Sequence, residues 1–106
     1  MSRFRTTDQA DEDLIAIYIQ GYDHFGPLQA ERYQDGLEAA FQRLADYPEL
    51  TRIRTEFNPP VRAFSYMSHV IFYEEEPGGV VILRLRHGHE DWQGHLGDGP
   101  GQRGKP

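Results

Sequence analysis

The sequence predicts an α+β fold: an antiparallel sheet with a helical hairpin packed on one face, in the order strand, helix, helix, strand, strand, strand. Three observations predict it. Between residues 30 and 47 the apolar side chains step with a helical period, the strongest in the chain. The stretch 69–88, HVIFYEEEPGGVVILRLRHG, reads as a β-hairpin, two apolar β-branched and aromatic runs around a proline and two glycines. Only a short Gly26-Pro27 break separates the strong helical stretch from the one before it, which demands an antiparallel helical pair. A two-stranded ribbon is not stable alone in water, so its buried face must be covered, and the helices supply the cover.

The elements follow in order. Arg3 to Thr7 is a short candidate strand with Phe4 as its apolar residue. Thr7 or Asp8 can cap a helix over about residues 9–24, and Asp11, Glu12 and Asp13 favour the positive end of its dipole. Leu14, Ile17 and Tyr18 form its apolar stripe. Pro27 suits the first position of a second helix, whose stripe is Ala30, Tyr33, Leu37, Ala40, Phe41, Leu44 and Tyr47. Tyr18, Tyr33 and Phe41 are expected in the core, and Pro48 bounds the helix. Residues 48–60 read as a link. Val61 to Met67 alternates as a strand, with Val61, Ala63 and Ser65 on one side and Arg62, Phe64 and Tyr66 on the other. Ser68 makes a turn into the hairpin, where Glu74 to Glu76 read as a solvated turn. In the second arm Val81, Leu83 and Leu85 alternate with Val80, Ile82, Arg84 and Arg86. The other sheet face is expected to lie open to solvent or a partner. One domain spans 1–92, and the Gly/Pro-rich stretch 93–106 reads as disordered.

Composition narrows the function. The 106 residues contain no cysteine, which rules out disulfides and thiolate metal sites and suits a reducing cytoplasm. No segment is long and apolar enough to span a membrane. The net charge is −6 and unevenly spread. Residues 8–47 carry nine Asp/Glu against Arg32 and Arg43, a balance of −7; residues 48–92 carry seven against five arginines, a balance of −2. An acidic body of this kind is not expected to bind DNA or RNA tightly through phosphates.

Arg84 and Arg86 share a strand face that Arg62 can join, a small anion-recognition patch or a set of cross-strand partners for Glu74 or Glu76. His87, His89, Glu90 and Asp91 have an HxH spacing, but two ligands do not make a metal site, and no metal or cofactor is expected. Histidine is a residue type suited to acid–base work, but no second member of a constellation can be assigned beside these. Trp92 can cap the core or anchor a partner. Ser2, Ser65 and Ser68 sit in no nucleophile motif, and there is no phosphate loop between a strand and a helix.

Five segments in sequence carry a family resemblance: Ala10–Leu14 with Ile17 and Tyr18; Ala30 through Pro48; Val61, Arg62 and Phe64; His69–Tyr73; and Val80–Gly88. Together, over about residues 3–92, they resemble the ParE toxins of the RelE/ParE superfamily, often labelled plasmid stabilisation proteins. The resemblance implies a βααβββ fold and a toxin wrapped and blocked by a cognate antitoxin. ParE-like members poison DNA gyrase and need no catalytic residue of their own. RelE-like members cleave mRNA on the ribosome, a role for which Arg62, Arg84 and His87 are the candidates here. The acidic charge favours the gyrase reading. A degenerate antitoxin-binding module is the third alternative. In each case Arg62, Arg84, Arg86, His87, His89 and Trp92 are the expected partner-binding residues.

Overall fold

The computed structural model describes residues 2–88. His89, Trp92 and the stretch 93–106 lie outside the described residues. The elements are β1 (Arg3–Thr6), α1 (Asp8–Phe25), α2 (Pro27–Asp46), a 3-10 turn (Pro48–Leu50), β2 (Ile53–Arg54), β3 (Val61–Tyr66), β4 (His69–Glu76) and β5 (Gly79–His87). They form a helical hairpin and one five-stranded sheet in the order β1-β5-β4-β3-β2.

The local chemistry of the helices matches the expectation. Thr7 caps α1, its hydroxyl accepting from the Ala10 amide at 3.0 Å. Gly26 ends α1 and begins α2 with φ of 87°, a conformation that side chains with a Cβ resist, and Pro27 follows at the first helical position. In α2 the side chains of Leu37, Phe41 and Leu44 are fully buried, together with Ala30, Ala40 and Ala45. Tyr47, at the end of the expected stripe, is exposed instead.

The sheet departs from the expectation in four ways. It is mixed, because β1 pairs parallel with β5, Arg3 opposite Gly79 through Thr6 opposite Ile82. The link contributes a short fifth strand, β2, antiparallel to β3. Glu74–Glu76 are not a turn: they extend β4, and Pro77-Gly78 alone reverses the chain. Glu76 has a reason to stay in the sheet, since its carboxylate holds the Arg5 guanidinium at 2.8–3.0 Å across the β1 side.

The fourth departure concerns the second face, which is not bare. Ile71, Tyr73, Val80, Ile82 and Leu85 pack with the helices in the main core. Val61, Val70 and Phe72 instead form a smaller cluster under Phe57, with Ala63 and Leu83 at its margin. Phe57, from the loop after β2, is 3 % exposed and meets Phe72 edge to face at 5.7 Å. The loop thus covers part of the face expected to lie open. A strand with β-branched or aromatic side chains on both faces needs cover on both.

Candidate functional site: a histidine cleft and an arginine clasp

A bulge in β5 sets the geometry. Tyr73 lies opposite Ile82 and Phe72 opposite Arg84, so Leu83 is an extra residue on its strand. An inserted residue reverses which face every later side chain takes. Val80, Ile82 and Leu85 therefore share the helix side. Arg84 and Arg86 stand opposite Phe72 and Val70, residues of the smaller cluster on the second face. The uninterrupted alternation read from sequence placed the arginines with Val80 and Ile82, and the bulge is why they are not there.

The partner of the two arginines is neither Glu74 nor Glu76. Among the described residues both meet Asp13 of α1, beyond the end of β1. Asp13 Oδ2 accepts from Arg84 Nε and from the Leu85 amide, both at 2.9 Å, and Oδ1 accepts from Arg84 Nη2 at 3.2 Å. Arg86 Nη1 lies 3.8 Å from Oδ1. All three side chains are less than one-fifth exposed, so this is a charged clasp at the margin of the core. Arg62 does not join it. It stands opposite Tyr73, on the other face, donating to the Thr51 carbonyl and to Glu75 Oε1 at 3.3 Å.

His87 continues the β5 pattern onto the helix side, where it faces His69, the first residue of β4. The two rings meet edge to face at 5.5 Å. Tyr33 of α2 completes the group, its hydroxyl 2.7 Å from His69 Nδ1 and 3.3 Å from the Tyr66 carbonyl it donates to. Burial holds the Tyr33 phenol above its ordinary pKa, partly opposed by a hydrogen bond to the Ser68 backbone. These residues line a cleft of about 380 Å³ at the joint of the helical hairpin. Ile17, Gly21, Phe25 and Ala30 form its apolar wall, and His24 stands at its side.

The cleft can accept a small apolar group and offer it hydrogen bonds from a phenol and imidazoles. Among the described residues no group of three or more His, Cys, Asp or Glu is placed to hold a metal ion. No helix among them is long and apolar enough to cross a membrane. Of the expected site residues, the structure joins Arg84 with Arg86, separates both from His87, and places Arg62 elsewhere. His69 and Tyr33 were not anticipated. The signal for His69 was present in the hairpin, whose two arms bring its histidines opposite one another.

Residues 4–92 match the family described as "ParE toxin of type II toxin-antitoxin system, parDE". The chain belongs to that family. Its relatives include Toxin ParE1 of Mycobacterium tuberculosis, 33% identical over 87 residues, which cover 81% of this chain and 89% of the relative. Toxin ParE3 of Caulobacter vibrioides is 29% identical over 97 residues, 92% of this chain and 97% of that one. A solved structure described as the chromosomal ParDE TA system from P. aeruginosa shares the fold, with a TM-score of 0.70 and 21% identity, covering 82% of this chain and 96% of its own. This ParE-family chain is thus a toxin of a type II toxin–antitoxin system, with the helical hairpin and mixed sheet of its structural neighbour.

Proposed function

We propose that this ParE-family protein acts in the cytoplasm, inhibits DNA gyrase by binding it directly, and is neutralised by a cognate antitoxin. The observation that carries the choice of target is the state of the arginines. A nuclease that docks on ribosomal RNA needs cations free to meet phosphate. Here Arg84 and Arg86 lie within 4 Å of the carboxylate of Asp13, Arg62 meets Glu75, and the whole chain carries −6. A binder of gyrase needs a stable protein surface and leaves the DNA chemistry to its target. The antitoxin is supported by family membership and by the neighbour, whose own description is of a ParDE system.

Incubating the folded protein with gyrase and supercoiled DNA should block supercoiling or trap cleaved DNA. No effect up to a large molar excess rejects the gyrase reading. One observation favours mRNA cleavage as a second reading: Tyr33, His69 and His87 place a phenol and two imidazoles together in a cleft. Primer extension after cell-free translation tests it. New codon-positioned cuts that disappear in His69→Ala and His87→Ala would establish the nuclease. Growth after induction without antitoxin separates both readings from a module that only binds its antitoxin.

A further inference from the structure

The cleft at the hairpin joint divides in chemistry by element. The helices supply its apolar part: Ile17, Gly21 and Phe25 share one side of α1 at i, i+4 and i+8, and Ala30 faces them from α2. Gly21 and Ala30 meet where the helices are closest, a Cβ on Gly21 lying 3.7 Å from Ala30, and neither has a side chain long enough to fill the recess beside them. The ends of β4 and β5 supply the polar part, His69 and His87. The Tyr33, His69 and His87 rings stand edge to face at 5.5 Å from one to the next, which offers flat surfaces to a ring. At about 380 Å³ the cleft is at the small end of ligand pockets, with room for one or two fused rings.

Its charge is one-sided. Among the described residues the lining holds three histidines, His24, His69 and His87, and no aspartate, glutamate, lysine or arginine. The other titratable groups facing the histidine pair are Tyr33 from α2 and Tyr66 from β3, both phenols. Existing hydrogen bonds decide where a proton goes. His24 Nδ1 donates to the Gln20 carbonyl, which can only accept. His69 Nδ1 is held by the Tyr33 oxygen, whose own proton goes to the Tyr66 carbonyl. A further proton therefore arrives at Nε2 on each ring and leaves these bonds in place. Below the ordinary histidine pKa of about 6.5 the cleft turns cationic with no carboxylate in its lining to answer it. An anionic ligand supplies that countercharge, and an ammonium ligand is repelled.

We propose that this cleft binds a small aromatic carboxylic acid, its ring against Ile17 and Phe25 and its carboxylate at His69 and His87. The proposal rests on neither the gyrase nor the nuclease reading, and its test contains no gyrase, DNA or ribosome. The probes share one ring and differ in head group: indole-3-acetate, the neutral indole-3-acetamide and the cationic tryptamine. Titration calorimetry on the full chain at pH 6.0 should show the acid binding at least ~10-fold more tightly than tryptamine, with the amide between them. Raising the pH to 8.0 should weaken the acid at least ~3-fold and leave the amide unchanged, because the imidazoles discharge while the carboxylate stays ionised. Amide chemical shifts in the intact protein should move at residues 17–25, at Tyr33, and at Ser68, His69 and His87.

His69→Phe/His87→Phe keeps two flat rings and removes both imidazoles. It should lose at least ~10-fold of the affinity for the acid and keep that for the amide, a difference that general loss of structure would not produce. If the double variant does not fold, the three probes, the two pH values and the shift map on the parent protein decide the matter alone. Any of three results overturns the proposal: no binding of indole-3-acetate up to ~5 mM, equal affinity for the acid and the amine at pH 6.0, or shifts confined to residues outside the cleft.

Discussion

Asp13 binds Arg84 from the far layer of the fold, its carboxylate accepting from both Nε and Nη2 while also taking the Leu85 amide. This ties α1 to β5 at the point where β1 has ended and no strand remains to satisfy that amide. Replacing Asp13 by Ala removes three hydrogen bonds and leaves a partly buried guanidinium. The expected cost is about 2–4 kcal/mol in urea unfolding. A double-mutant cycle with Arg84→Ala should return a coupling of at least ~1 kcal/mol; additivity would show the clasp to be decorative.

Phe57 roofs the smaller cluster from a loop. Phe57→Ala should cost about 3 kcal/mol and uncover Phe72 and Val70. A hydrophobic dye should bind the variant more strongly under native conditions. Unchanged stability would mean that the loop lies on the sheet without bracing it.

Gly79 sits where the chain must pass β1. A Cβ there would come 1.7 Å from the Arg3 carbonyl oxygen and 2.9 Å from the Arg3 amide nitrogen. Neither atom can swing aside, since both belong to backbone. Gly79→Ala should push β1 off the edge of β5, at a cost of about 2 kcal/mol, with faster amide exchange at Arg3, whose N–H bonds the Gly78 carbonyl. Retained exchange protection in β1 would count against this.

Tyr33 predicts a pH dependence. Its folded pKa lies above the unfolded value, so its contribution is fully present below the unfolded value near ~10 and is lost as pH rises through the folded one. Tyr33→Phe should be less stable than the parent at neutral pH, by about 1 kcal/mol for the lost hydrogen bonds. The gap between the two should then narrow on the alkaline side. A gap that stays constant with pH would show that this phenol is not what titrates.

Much of this fold was legible in the residues. The Thr7 cap, the Gly26-Pro27 joint and the α2 stripe as far as Leu44 obey local rules, and each was found where those rules put it, whereas Tyr47 at the end of the stripe is exposed. The alternation of Val61–Tyr66 likewise held, with Ala63 in one cluster and Phe64 packed on the other. What could not be read was set by pairing between distant segments. Nothing local announces the bulge at Leu83, yet it turns Arg84 and Arg86 to the second face. The parallel docking of Phe4 beside Val80 is equally silent in Arg3–Thr6. Asp13 left a faint trace: at i+3 from the buried Ala10 and one before Leu14, it falls within the inward stripe, where an acid needs a partner. Reading it only as a dipole residue hid its bond to Arg84.

The pairing of Arg3 with Gly79 has a consequence for how the protein is made. Synthesis runs from the amino end, so β1 leaves the ribosome long before the strand that will receive it. Until β5 emerges, the place between β1 and β4 is vacant and the floor under the helices is incomplete. Closing so distant a contact comes late and slowly. A nascent or truncated chain that stops short of Gly79 cannot assemble this architecture, and any harm the finished protein does to its host waits on the translation of that strand.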